Sequence, residues 1–156
     1  MNIKKLFKNK KGVTLTETII YISLISIVTV ALISITIQIV QFKTRANSMS
    51  IISSEVSNVF DKVIYEVRNA DSFEVVDSST LKITKDSVIG EYRLENSRIV
   101  YNREGGDNFV TSNQVEVNDV QFLDWTSVNS DNLLHIIITF KRGSINETFQ
   151  TTVHKR

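Results

Sequence analysis

Two hydrophobic patterns divide the chain. From Thr18 to Val40, 23 residues carry no charge and are rich in Ile, Val and Leu on every side. A hydrocarbon layer of about 30 Å needs roughly 20 apolar residues in helical form, so this run is long enough to span one. Past Arg45 the pattern thins to a stripe. Ile52, Val56, Val59, Phe60, Val63 and Val67 recur at steps of three and four, which predicts an amphipathic helix over 50–69 with one face to bury. The chain has no Pro, and no Gly falls between Gly12 and Gly90. The two patterns therefore predict one long helix from about Val13 to Asn69, with Ala46–Ser50 as the place where it could loosen. At about 1.5 Å per residue such a helix extends roughly 85 Å, more than a membrane needs, so a stalk is expected.

From Phe73 the period shifts from 3.6 towards 2. Runs rich in β-branched and aromatic residues predict strands at Phe73–Val76, Leu81–Thr84, Val88–Leu94, Arg98–Asn102, Gln114–Trp125, Leu133–Phe140 and Ile145–Val153. Turn-forming residues separate them, including a loop at Gly105-Gly106-Asp107-Asn108 and a hairpin turn at Arg142-Gly143-Ser144. Ile136-Ile137-Ile138 is apolar on both faces, as a central strand under a helix would be. The expected fold class is α+β. A long N-terminal helix, its first half membrane-spanning, packs through its second half on a C-terminal antiparallel sheet with meander connections. The divisions are 1–12, 13–42 as the spanning helix, and 43–156 as an outer domain made of helix 50–69 and a sheet over 73–153.

Charge gives the chain a direction. Residues 1–12 hold Lys4, Lys5, Lys8, Lys10 and Lys11 and no acid; the rest has 13 Lys plus Arg against 17 Asp plus Glu, or −4. A basic flank stays on the cytoplasmic side, which sends the C-terminal domain outward. The apolar run exceeds the roughly 7–15 residues of a cleavable secretory signal, and no small-x-small site follows Val40. There is no Cys, which excludes a disulfide, a thiolate metal site and a lipidated cysteine. A mildly acidic outer domain has no general electrostatic reason to bind nucleic acid.

The informative stretch is Lys10-Lys11-Gly12-Val13-Thr14-Leu15-Thr16-Glu17, followed at once by the apolar run. It resembles the type IV prepilin signal, in which a membrane aspartic peptidase cuts after the Gly that ends a short basic leader. The resemblance covers about the first 40 residues. It implies cleavage between Gly12 and Val13, removal of residues 1–12, methylation of Val13 and an assembly role for Glu17, then the fifth residue. It further implies a pilin-like fold. Two features depart from the common pattern. Ser34 stands where many pilins have Pro, and Val13 stands where Phe is common.

The chemistry of that stretch is coherent in itself. A bond beside Gly has no side chain to block a peptidase at the membrane face. Glu17 is an acid at the edge of a chargeless span, where an unpaired carboxylate costs several kcal/mol. Cleavage creates a cation nearby, the α-amine of Val13. In a filament, the resemblance implies, Glu17 of an incoming subunit neutralises a neighbour's Val13 amine in low-dielectric surroundings. A plainer reading makes Glu17 a first-turn acid favoured by the helix dipole.

Other candidates are weaker. His135 sits in an apolar strand and His154 near the C-terminus. Asp107, Asp124 and Asp131 lack the spacing of a calcium loop. Phe122 and Trp125 suit core or edge packing, with an exposed contact surface as the alternative. Lys141, Arg142, Lys155 and Arg156 form a small basic cluster in sequence terms, more typical of a solvated hairpin end than of a DNA site. No Ser-His-Asp set, phosphate loop or paired catalytic carboxylates stand out, so no catalytic residue, metal ligand or cofactor is assigned and the chain is not expected to be an enzyme.

Within the prepilin group, Phe60–Ala70, ending Glu66-Val67-Arg68-Asn69-Ala70, resembles the helix end of J- or W-type minor pilins. So does Gln114-Val115-Glu116-Val117-Asn118-Asp119-Val120-Gln121-Phe122. The implied role is a minor, tip-associated subunit of a type IV pilus or type II secretion pseudopilus. The implied partners are the prepilin peptidase, sister pilins or pseudopilins in a helical filament, the inner-membrane assembly platform and membrane lipid. The implied location is a single pass through the bacterial inner membrane, domain outward, then an extracytoplasmic filament. Two other classes stay open: a filament-tip binding module for DNA or a secreted substrate in competence or adhesion, and an enzyme on an uncleaved signal anchor.

Overall fold

The computed structural model describes residues 14–125 and 132–155. The chain divides into two compact units, one ending at Lys43 and one starting at Thr44. The element α1 covers Leu15–Arg68, and its ladder continues through Ala46–Ser50, where the sequence allowed a loosening. Thr14 starts it: the Glu17 backbone N–H donates to Thr14 Oγ1 at 3.3 Å, satisfying one of the first-turn donors that no helical carbonyl can reach. Asn69 closes the far end without a glycine. Its backbone N–H and its side-chain amide both donate to the Tyr65 carbonyl, at 3.2 and 2.7 Å.

In the unit from Thr44 onward, the helical stripe is buried as its spacing predicts. Ile52, Val56, Val59, Val63 and Val67 lie in the core, with Ile51, Phe60 and Ile64 half-buried beside them. Against them stand two antiparallel sheets rather than the expected one. The first is a five-stranded meander of β1 (Ser72–Asp77), β2 (Thr80–Lys85), β3 (Val88–Glu95), β4 (Arg98–Arg103) and β5 (Gly106–Phe109). The second is a three-stranded meander of β6 (Glu116–Asp124), β7 (Leu133–Arg142) and β8 (Ile145–His154). One hydrophobic core takes in Leu81, Tyr92 and Ile99 of the first sheet and Phe122, Ile136 and Phe140 of the second.

The division has a local cause. The β6 strand pairs β7 along one edge, while on the other its backbone bonds turns of the first sheet. Val117 N–H donates to Ser97 O and Phe122 N–H to Ser78 O, both at 2.8 Å. A bulge between Val117 and Asp119 shifts the alternation, so Val117, Val120 and Phe122 all face inward. The central β7 buries Leu134, Ile136, Ile138 and Phe140 and leaves Ile137 half-buried, close to the two-faced strand expected there.

The strand β5 occupies the expected Gly105–Asn108 loop. It pairs Val100 with Phe109 and Asn102 with Asp107. Side chains hold it: Asn102 Nδ2 and Arg93 Nη2 donate to Asp107 at 2.5 and 2.8 Å, and the Arg98 guanidinium lies 3.7 Å from the Phe109 ring centre. Asn102 first, and then Arg93, hold the Asp107 carboxyl below the usual carboxylate range. The hairpin turns Asp86-Ser87, Asn96-Ser97 and Glu104-Gly105 all have φ between 51 and 83°, the sign that a two-residue type I′ turn requires at both positions. One close approach needs glycine: a Cβ on Gly90 would stand 2.4 Å from the Tyr101 hydroxyl, whose ring stacks on Tyr92 at 4.4 Å.

Candidate functional site

The segment before Lys43 holds a single charged side chain among the described residues, Glu17. Its large apolar side chains from Leu15 to Phe42 are 52 to 80 % exposed. The helix α1 is long and apolar enough to cross a membrane. Its hydroxyls suit a medium without water. Ser23, Ser26, Thr29, Ser34 and Thr36 each donate to the carbonyl four residues earlier, at 2.7 to 2.9 Å. Each polar hydrogen is thereby satisfied within the helix, as hydrocarbon surroundings demand. Ser34 makes this bond to Val30 O, and the helix runs on through it.

Glu17 lies in the first turn, where its charge complements the helix dipole. Its carboxylate accepts a hydrogen bond from the Tyr21 hydroxyl, 3.1 Å from Oε1. Gly12, Val13 and the lysines Lys4, Lys5, Lys8, Lys10 and Lys11 fall outside the described residues. Sequence reasoning missed both local partners of Glu17. The signals were present: Thr14-x-x-Glu17 has the spacing of a capping box, and Tyr21 stands four residues after Glu17, on the same helix flank.

The remaining candidates do not converge. His135 is buried, with Nδ1 2.8 Å from Thr152 Oγ1 and the Trp125 ring stacked on it at 4.3 Å. Trp125 is thus an edge-packing residue, 38 % exposed, and Phe122 belongs to the core. Asp107 is tied into β5 and Asp124 ends β6, while Asp131 lies outside the described residues. Among the described residues, no three His, Cys, Asp or Glu gather as a metal site would require.

The basic cluster is not a cluster. Pairing of Leu133 with His154 and of Arg142 with Ile145 puts Lys155 at one end of the β7–β8 hairpin and Lys141-Arg142 at the other, on the order of 30 Å away at 3.3 Å per residue. Lys141 pairs with Glu116 at 3.2 Å, Arg142 donates to Gln114 O, and Lys155 to Asp71 O. Arg156 lies outside the described residues. No family model, no curated protein and no solved structure matches this chain.

Proposed function

We propose that this chain is a minor, tip-associated subunit of a type IV pilus or type II secretion pseudopilus. A prepilin peptidase cuts it between Gly12 and Val13, the new Val13 amine is methylated, and the subunit joins its filament through the apolar part of α1. One observation carries the reading: Glu17 is the single charge ahead of Lys43 among the described residues, at the first turn of an exposed apolar helix. It stands four residues after the residue that cleavage would free. An unpaired carboxylate there is costly, and an amine set free at that spot relieves it. Before cleavage no such amine exists, so processing would license assembly. The pilin-like layout, the single pass with the domain outward, and the partners (peptidase, sister subunits, assembly platform and lipid) follow from the same reading.

Two substitutions test it in the cell that makes the protein. Gly12→Leu is expected to leave the leader attached. Glu17→Val is expected to be cut normally yet be lost from sheared filaments by at least tenfold. Normal processing of Gly12→Leu would overturn the cleavage site, and normal incorporation of Glu17→Val would overturn the assembly role.

A further inference from the structure

The Tyr21 hydroxyl is used differently from the hydroxyls around it. Ser23, Ser26, Thr29, Ser34 and Thr36 direct their protons to carbonyls of their own helix. A phenol is too long and too rigid to turn back in that way. Helical side chains lean towards the N-terminus, so the side chain at position 21 lies over the turn that contains position 17. Its hydroxyl meets the Glu17 carboxylate at 3.1 Å. A hydrogen bond to an ionised acceptor is about twice as strong as a neutral one, and stronger still where water is absent.

We propose that Tyr21 is a positioning residue for Glu17. It supplies the carboxylate with a donor inside the apolar layer and fixes it on the helix flank that residues 17 and 21 share. This rests on the assembly role proposed above and adds a specificity to it. A capping box would turn the carboxylate back to its own helix end at Thr14. The bond to Tyr21 holds it on the flank instead, where the amine of a second subunit reaches it from the side. One carboxylate has lone pairs enough for both donors, so Tyr21 stays bonded when the amine arrives.

The test is Tyr21→Phe, which keeps the ring and removes only the hydroxyl. The full chain is expected to be cut at Gly12 as before, while its amount in sheared filaments falls about tenfold, the effect of one charge-assisted hydrogen bond. A second measurement does not depend on filaments. Processed full-length protein, carrying carbon-13 in its glutamate carboxyls, is placed in phospholipid vesicles and its infrared spectrum taken. Tyr21→Phe is expected to shift one carboxylate band that Glu17→Gln removes. Unchanged incorporation, or superimposable carboxylate bands, would overturn the proposal. If the wild-type chain itself never enters filaments, the assembly role fails, and the infrared shift alone decides whether Tyr21 holds Glu17.

Discussion

The two halves of α1 solve opposite problems with the same backbone. From Leu15 to Phe42 the apolar side chains stand exposed on all sides, and the Ser and Thr hydroxyls from Ser23 to Thr36 are turned inward onto carbonyls. From Ile52 to Val67 a stripe one residue wide per turn is buried, Phe60 and Ile64 are half-buried beside it, and the remaining positions are mostly polar. A helix that is apolar all round needs an apolar solvent or many copies of itself, whereas a striped helix needs one partner surface. The second half has that surface in its own chain, in the two sheets. The first half leaves its apolar side chains exposed among the described residues, with Glu17 as its single charged side chain.

The contrast breaks most sharply on a misplaced charge. Val59→Asp buries an unpaired carboxylate at a fully buried position, a cost above about 4 kcal/mol that removes most of the stability of a domain this size. Its cooperative thermal transition, followed by circular dichroism in detergent, is expected to disappear. Ile33→Asp makes the same chemical change at an exposed position. It is expected to leave that transition within about 0.5 kcal/mol of wild type while costing about 3 kcal/mol of membrane insertion, read as protein lost from the carbonate-washed membrane fraction. Equal melting effects from the two substitutions would erase the distinction.

A smaller effect sharpens the view of the striped half. Burial, then the nearby charge of Glu66, pushes the Tyr92 hydroxyl well above the ordinary tyrosine value, and among the described residues that hydroxyl has no hydrogen-bond partner. Tyr92→Phe is expected to stabilise the domain by about 1 kcal/mol, raising its melting temperature by about 4 °C. Sign follows from linkage: above pH about 10 the unfolded tyrosine gives up its proton and the folded one keeps it, so stability falls as pH rises. Wild type should lose stability between pH 10 and 11, and Tyr92→Phe should flatten that loss. Parallel pH curves for the two proteins would contradict it.

Much of this was legible in the sequence where one residue's neighbours along the chain decide its fate. The 3.6 period of Ile52 to Val67 and the uncharged run to Val40 set both helix halves, and seven of the strand positions follow from alternation. What escaped depends on lateral partners. The segment Gly106-Asp107-Asn108-Phe109 has turn composition and becomes a strand because Arg93, Asn102 and Arg98 on neighbouring strands fix Asp107 and Phe109. A second sheet was hidden because β6 ends its pairing on the Ser78 and Ser97 turns, a contact without periodicity. The basic residues looked adjacent because hairpin register, not proximity to the C-terminus, decides where Lys155 stands. At the candidate site, Glu17 stood out by its isolation, whereas Tyr21, though at the i+4 spacing that signals a partner, passed as one more apolar residue in an apolar run.

The central claim is that the chain is cut ahead of Val13 so that a free amine appears beside an apolar helix carrying Glu17. Intact-mass and N-terminal fragment spectra of the protein extracted from the membranes of the cells that make it test this directly. The account predicts a chain that begins at Val13 with a methylated amine and lacks residues 1–12. A membrane population that keeps Met1–Gly12 in full would contradict it.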